Sequence, residues 1–193
     1  MKNAPLLKIE DLRTYFYSKS KQAFIRSVDG VSLEIAKGET LGVVGESGSG
    51  KSITALSVMG LVGGGPGVIS GKIGFKTEKT RKNLLQDLDD HVKLAWDNGK
   101  IMGVDKDVVG WEKNAGRVMS GVRGKEIAMI FQNPKASLNP LTTVGSQITE
   151  AIQLHTDIKD PLQARERAIH WLNRVKIDTP RLRIDNYPYG LSG

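Results

Sequence analysis

The feature that most constrains this chain is a glycine-rich stretch at residues 45–52, which is Gly-Glu-Ser-Gly-Ser-Gly-Lys-Ser. A short apolar run at residues 41–44 precedes it, and Ile53, Leu56 and Met59 follow it with helical spacing. The apolar run is typical of a strand buried on both faces, and the later spacing predicts a helix. A glycine, four spacer residues and Gly-Lys-Ser between a strand and a helix form the phosphate-binding P-loop motif.

Each position of this motif has a chemical task. The glycines let successive backbone N–H groups turn inward around an anion, where a Cβ atom would obstruct them. The helix that begins near Gly50 points its N-terminal dipole and its unpaired N–H groups at the same anion. Lys51 is predicted to reach the β- and γ-phosphates of a nucleotide, and the Ser52 hydroxyl to ligate Mg²⁺. The alternative, a flexible Gly/Ser linker, is disfavoured because core elements flank the stretch on both sides.

Composition excludes several classes of protein. The 193 residues contain no cysteine, which rules out a disulfide framework, a thiolate zinc site or an iron–sulfur cluster within this sequence. The N-terminus lacks the apolar core of a secretory signal, and the apolar runs are shorter than the roughly 20 residues of a membrane-spanning helix. The net charge of +7 suits nucleic acid, an anionic membrane surface or a phosphorylated ligand, and does not choose among them.

Strand signals recur outside the glycine-rich stretch. Apolar and polar residues alternate at 7–9 and 31–35, which predicts strands with one buried face. The continuous apolar run at 127–131 predicts a further buried strand. Sheet and helix signals together favour an α/β chain.

Helix signals occupy the middle and the end of the chain. Apolar residues at helical intervals from position 84 predict one amphipathic helix to about Asp97, with Asn98-Gly99 as its stop. Beyond this helix, four large apolar residues are interpreted as packing residues and not as a ligand cage, namely Trp96, Val108, Val109 and Trp111. Two further helices are predicted to begin after Thr143 and Asp160, which are suitable N-caps.

Five stretches in order resemble the ATP-binding subunit of ABC transporters, most of all the oligopeptide, dipeptide and nickel importers. They are residues 28–33, 38–52, 123–134, 137–140 and 187–193. The resemblance implies an α/β fold, in which a P-loop NTPase core has a mixed sheet, flanking helices and N-terminal antiparallel strands, followed by an α-helical subdomain. The implied domains are 1–134 for the core, with an insertion at about 76–120, and 135–193 for the helical subdomain.

The resemblance also assigns catalytic, metal and trans-acting roles. Lys51 and Gln132 are implied as catalytic residues, Gln132 being the Q-loop glutamine that approaches Mg²⁺ and the attacking water. Ser52 and Gln132 are the implied metal contacts. Ser192 and Gly193 resemble the start of the signature motif, which contacts the γ-phosphate held by the opposite subunit.

The nucleotide itself is expected to be ATP, with Mg²⁺ as the second cofactor. In this family an aromatic residue before the P-loop stacks on adenine, and the spacing favours Phe16, with Tyr15 and Tyr17 as rivals. The implied ATP-binding residues are Phe16, Gly45, Ser47, Gly48, Ser49, Gly50, Lys51 and Ser52.

As a member of such a family, the protein is expected to couple ATP binding and hydrolysis to uptake of peptides or a related solute, nickel included. The implied partners are integral-membrane permease subunits, a second ATP-binding subunit and, indirectly, an extracytoplasmic solute-binding protein. No nucleic-acid partner is expected. The implied location is the cytoplasmic side of the cell membrane, as a peripheral protein.

The sequence contains no run of four apolar residues followed by two acidic residues, the pattern that this family places after its signature motif. The expectation is therefore an incomplete domain that lacks Walker B and its general base. Such a chain is predicted to bind ATP–Mg²⁺ weakly without hydrolysing it, whereas the full-length protein is expected to be an ATPase.

Two other functions fit parts of the sequence. A soluble ABC-type ATPase acting on nucleic acid is suggested by the basic charge, but the basic residues are scattered and lack interleaved aromatics. A small-molecule kinase shares the P-loop, but the Q-loop sequence speaks against it.

Overall fold

The computed structural model describes residues 4–77, 81–133 and 137–190. The chain divides into two compact units, residues 1–123 and 124–193. Within the described ranges, no helix has both the length and the apolar composition needed to cross a membrane.

A four-stranded antiparallel sheet is the frame of the first unit. Its order is β2-β1-β3-β4. The strands are β1 (Leu7–Ser18), β2 (Ala23–Ile35), β3 (Pro66–Lys76) and β4 (Arg81–Asn83). The strands predicted at 7–9 and 31–35 are confirmed as parts of β1 and β2, which pair from Leu7–Ile35 to Ser18–Ala23. β1 is paired on both edges, and its Leu12 side chain is fully buried.

The helix predicted after residues 45–52 is confirmed as α1 (Lys51–Met59). It ends at Gly60, whose φ of +60° is left-handed and whose N–H donates to the Ser57 carbonyl. The hydroxyl groups of Thr14 in β1 and Ser57 in α1 are buried and 2.9 Å apart. This hydrogen bond fixes α1 against one face of the sheet, because neither hydroxyl has access to water as a substitute partner.

The prediction of a helix that runs to Asp97 is wrong. Leu88–His91 is a short 3₁₀ turn, and two antiparallel strands follow it, β5 (Val92–Asp97) and β6 (Lys100–Lys106). Asn98 and Gly99 have φ values of +47° and +73°. Two successive left-handed residues are what a two-residue hairpin turn requires, so Asn98-Gly99 joins two strands instead of ending a helix.

The last element of the first unit is α2 (Val108–Ser120), which begins after Asp107. The Asp107 side chain accepts a hydrogen bond from the Gly110 N–H at 2.9 Å and caps the helix. Trp111 is buried against the unit, so its interpretation as a packing residue is confirmed. The same interpretation is wrong for Trp96, which is 53% exposed, and for Val109, which is 79% exposed.

Two segments predicted as buried strands are not strands. Residues 41–44 have no strand pairing, and residues 127–131 have only an isolated bridge at Ile127. Val44 is 95% exposed and Ile130 is 94% exposed. A strand buried on both faces needs hydrogen-bond partners along its edges and side chains above and below it, and the described residues supply neither.

The regular elements among the described residues of the second unit are helices, apart from the isolated bridge at Ile127. Its helices are α3 (Val144–His155), α4 (Pro161–Arg174) and α5 (Pro180–Arg183). The predicted N-caps are confirmed: Thr143 accepts from the Ser146 N–H at 3.2 Å, and Asp160 accepts from the Gln163 N–H at 2.9 Å.

The core of the second unit lies between α3 and α4. It contains Val144, Ile152, Ala164, Ala168, Ile169, Leu172 and Ile184. The Gly145 N–H donates to the Ile184 carbonyl at 2.8 Å, and a Cβ at Gly145 would lie 2.6 Å from that oxygen. Only glycine permits so close an approach of two backbone segments.

Lys106, at the end of β6, is a largely buried lysine. Its Nζ donates to the Val68 carbonyl at 2.6 Å and lies 5.2 Å from the centroid of the Trp111 ring. Burial lowers the pKa of Lys106 from 10.5 to about 8, against the weaker opposing attraction of Glu112. The folded chain therefore releases this proton at a lower pH than the unfolded chain does.

This difference predicts a pH dependence of stability. Between the folded and unfolded pKa values the unfolded chain binds more protons, so the free energy of unfolding rises with pH. The contribution of Lys106 is complete above the unfolded pKa and is lost as the pH falls through the folded one. In urea unfolding, we expect the wild type to gain stability relative to Lys106→Met from about pH 7.5 to about pH 10.

Lys113→Met is the matched control, because Lys113 is exposed on α2. Its stability difference from the wild type should stay constant over the same pH range. An equally constant difference for Lys106→Met would show that Lys106 is not desolvated in the folded chain.

Candidate nucleotide-binding site

The glycine-rich stretch forms a tight loop that leads into α1. Gly48 and Gly50 have φ values of +81° and +87°, in the left-handed region that favours glycine. A Cβ at Gly45 would lie 2.8 Å from Oγ of Ser49. A larger residue at Gly45 would therefore collide with Ser49, so the loop at residues 45–52, the phosphate cradle that the motif predicts, is tightly folded.

Lys51 lies across this cradle. Its Nζ donates to the carbonyls of Gly45 and Glu46 at 2.7 and 2.6 Å and to Oγ of Ser49 at 3.0 Å. All three donors of the ammonium group are thus directed at the loop. A phosphate oxygen in the cradle would find a fixed positive charge beside it.

Among the described residues, no side chain caps the start of α1, whose N-cap is Gly50. The helices α2, α3 and α4 differ, because Asp107, Thr143 and Asp160 each accept a hydrogen bond from the first turn. The first N–H groups of α1 are left for another acceptor, and an anion is the acceptor that a helix N-terminus favours.

Ser47 and Ser52 are exposed, Ser47 in the loop and Ser52 in the first turn of α1. Ser52 follows Lys51 directly in the sequence. Its hydroxyl is a hard oxygen ligand, the kind that Mg²⁺ prefers. These features together fit a nucleotide phosphate with its Mg²⁺. They are the loop at 45–52, the Lys51 ammonium group, the uncapped start of α1 and the Ser52 hydroxyl.

Strand β2 contacts the end of the loop at Gly50. A Cβ at Gly50 would lie 2.1 Å from the carbonyl oxygen of Ser27 and 3.6 Å from Cγ2 of Val28. Gly50 therefore lets the helix start touch the sheet backbone. Sequence reasoning missed Ser27, because a residue that acts through its backbone carbonyl leaves no mark in a motif.

Of the three aromatic residues that are candidates for stacking on adenine, the structure excludes Tyr15. Tyr15 is 1% exposed, packs in the core with Ile69 and Ile101, and donates from its hydroxyl to Asp29 at 2.7 Å. Burial, followed by this hydrogen bond, raises the pKa of Tyr15 to about 12. A buried core tyrosine offers no face to a base.

Phe16 and Tyr17 remain accessible. Tyr17 is half-exposed and contacts Phe24 edge-on, on the side where Tyr15 also approaches Phe24. Phe16 is half-buried, and strand alternation places it with Thr14, whose hydroxyl meets α1. Phe16 thus lies on the α1 side of the sheet, and its role in stacking on adenine stays a prediction.

The remaining predicted site residues lie elsewhere. Gln132 belongs to the second unit and is exposed at a bend after residues 127–131. Ser192 and Gly193 lie outside the described residues. Their roles stay predictions.

Residues 28–193 match the family described as "ABC transporter". The chain belongs to the ABC transporter family. The resemblance drawn from the five sequence stretches is therefore confirmed.

Named relatives support the same assignment. The chain is 39% identical over 188 residues to the "Oligopeptide transport ATP-binding protein AppD" of Bacillus subtilis, covering 97% of this chain and 47% of that protein. It is 36% identical over 195 residues to the "Dipeptide transport ATP-binding protein DppD" of Escherichia coli, covering 97% of this chain and 47% of that protein. The chain spans about half the length of the curated relatives it matches.

Solved structures agree on the fold. A dimeric structure of MJ0796, titled a bacterial ABC transporter cassette, has a TM-score of 0.63 at 18% identity and covers 97% of this chain and 63% of that chain. MJ0796 bound to ADP and Pi, a post-hydrolysis dimer, has a TM-score of 0.62 at 18% identity and covers 96% of this chain and 63% of that chain. The predicted α/β P-loop fold is thus confirmed as that of an ABC cassette.

Proposed function

We propose that this chain is the nucleotide-binding part of an ABC importer subunit that couples ATP binding and hydrolysis to peptide uptake. The observation that carries the nucleotide role is the uncapped start of α1 behind a cradle spanned by Lys51. The peptide role is supported by relatives named as oligopeptide and dipeptide transport ATP-binding proteins.

In this proposal the residues of the cradle divide the work on ATP. The backbone N–H groups of 47–52 and the Lys51 ammonium hold the β- and γ-phosphates. Ser52 holds Mg²⁺, which neutralises charge on the phosphate oxygens when bound. Phe16 stacks on the adenine ring, and Gln132 positions the attacking water.

Hydrolysis is proposed to need groups beyond these. Attack of water on the γ-phosphate needs a positioned acceptor or orienting carboxylate, and this sequence has no apolar run followed by paired acids. We therefore expect the 193-residue chain alone to bind ATP–Mg²⁺ without steady turnover. Residues 1–134 would form the nucleotide-binding core and 135–193 the helical subdomain, with Ser192 and Gly193 contacting ATP held by a second subunit.

The proposed assembly has two ATP-binding subunits, integral-membrane permease subunits and a solute-binding protein that acts through them. Pairing of two cassettes is supported by the dimeric structures of MJ0796. Such a subunit would lie on the cytoplasmic face of the cell membrane, where ATP is available. Nickel is a second solute that this type of importer would carry.

The proposal is tested by uptake in cells that carry the full-length gene. We expect Lys51→Ala to reduce uptake of a labelled dipeptide or oligopeptide to background, because the phosphate contact is lost. Lys21→Ala, an equal loss of charge at an exposed turn, should leave uptake unchanged.

Two other results would redirect the proposal. Normal peptide uptake with loss of nickel uptake in Lys51→Ala would assign a metal solute. Unchanged uptake of both, with a steep salt dependence of duplex DNA binding, would favour the nucleic-acid alternative.

A further inference from the structure

A cavity of about 420 Å³ lies in the first unit between the C-terminal end of α1 and helix α2. The loop at 60–67 and Lys106 complete its walls. This volume is within the range of small-molecule sites, about 300–1,000 Å³. Among its described lining residues there is none from 45–52, so the cavity is separate from the phosphate cradle.

One part of the wall is apolar. Val58, Leu85, Trp111 and Met119 line the cavity, and all four side chains are buried in the fold. An indole ring, a thioether and aliphatic groups together suit the apolar or aromatic body of a small ligand.

Another part of the wall carries two cations, Lys106 and Arg123. Lys106 spends one of its three donors on the Val68 carbonyl, and with a pKa of about 8 it is protonated at neutral pH. The Nε of Arg123 is buried and has no hydrogen-bond partner among the described residues. A buried guanidinium nitrogen without a hydrogen-bond acceptor is unfavourable, so an anion that accepts from it would stabilise the wall.

The acid that lines the cavity is Glu112, which is exposed. Within the described residues no ion pair joins it to Lys106 or Arg123. Two cations and one acid leave a single net positive charge on the lining. This matches a singly charged carboxylate better than a doubly charged phosphate.

We propose that this cavity binds a small organic carboxylate with an apolar body. The carboxylate lies between Lys106 and Arg123, where the guanidinium offers a planar pair of donors. The apolar body lies against Trp111 and Met119. This site is independent of the ATP site and of the proposed transport function.

The test uses 4-phenylbutyrate and its neutral amide as probes. Replacing the exposed Trp96 and Trp171 with phenylalanine leaves Trp111 as the single tryptophan of the 193-residue chain. We expect saturable quenching or enhancement of Trp111 emission by 4-phenylbutyrate with a Kd of about 1 mM or lower. The amide should bind at least about tenfold more weakly, because it lacks the charge.

Gly116 provides a blocking variant that should still fold. It lies in α2 and lines the cavity, and a Cβ there would meet none of the described residues within 4 Å. We expect Gly116→Leu to abolish probe binding without lowering the unfolding midpoint, since leucine is a better helix former than glycine. Gly116→Ala shares the gain in helix propensity and should still bind the probe.

The two cations have matched controls on α2. Lys106→Met and Arg123→Gln should each weaken 4-phenylbutyrate binding at least about fivefold. Lys113→Met and Arg117→Gln remove equal charge from residues that do not line the cavity and should leave binding unchanged. No emission change up to saturating probe, equal binding of acid and amide, or undiminished binding to Gly116→Leu would each overturn the proposal. Tighter binding of inorganic phosphate than of 4-phenylbutyrate would also overturn it.

Discussion

Replacing Lys51 with alanine is expected to weaken binding of ATP–Mg²⁺ by about 100-fold. The Lys51 ammonium now donates three hydrogen bonds into the loop, to the carbonyls of Gly45 and Glu46 and to Ser49. A phosphate in the cradle would take over these donors, and the ammonium group binds an anionic oxygen more strongly than a neutral carbonyl or hydroxyl. Alanine has neither a charge nor a hydrogen-bond donor. The substitution therefore destabilises the ATP-bound chain more than the free chain.

The fold should tolerate this change. The carbonyls that Lys51 contacts belong to exposed residues, so water can replace the ammonium group. We expect the free energy of unfolding to change by less than about 0.5 kcal/mol. Isothermal titration with ATP–Mg²⁺ and urea unfolding measure the two effects, with Lys21→Ala as the charge control. Wild-type affinity in Lys51→Ala would place ATP elsewhere on the chain.

Gly50→Ala is expected to destabilise the first unit by about 3 kcal/mol or more and to remove ATP binding. The added Cβ would lie 2.1 Å from the Ser27 carbonyl oxygen, a backbone atom that cannot rotate away. Either α1 moves off β2 or the loop changes its φ values. Both movements displace the N–H groups that form the cradle.

Gly48→Ala is the matched control for this variant. Gly48 has nearly the same left-handed φ, +81° against +87°, but a Cβ there would meet no atom of the part of the chain that the structure describes within 4 Å. It carries only the conformational cost of a left-handed alanine, about 1 kcal/mol. If Gly48→Ala and Gly50→Ala unfold at the same urea concentration, the close approach of Gly50 to β2 is not present in solution.

The sequence identifies local structure well where the signal is local. The start of α1 after Gly50, and the N-caps Thr143 and Asp160, depend on residues three or four positions apart, and the structure has each of them. The contacts of Lys51 with its loop are also local, because they join residues five or six positions apart. Recognition of the family also needed only these ordered stretches.

The sequence misleads where pairing partners decide the structure. Residues 41–44 have the composition of a buried strand, but strand formation depends on neighbours, and the described residues provide none. The region before Asp97 has apolar residues at helical intervals, yet Asn98-Gly99 closes a hairpin. The spacing of apolar residues in a short segment cannot distinguish a helix from a strand. An Asn-Gly pair, in contrast, is itself a strong signal for a hairpin.

Tertiary contacts could not be predicted at all from spacing. The carbonyl of Ser27 behind Gly50 and the Thr14–Ser57 hydrogen bond join residues far apart in the chain. Neither contact has a motif, because each depends on how α1 docks on the sheet.

That residues 45–52 hold the phosphates of ATP is tested most directly by backbone hydrogen exchange in the presence of Mg²⁺. With ATP, the amides of the loop and of the first turn of α1 should be protected strongly, because they donate to phosphate oxygens. Adenosine, which has no phosphate, should leave these amides unprotected, and Lys51→Ala should lose the protection by ATP. Protection by ATP of other segments, with unchanged exchange at 45–52, would contradict a nucleotide site at this loop.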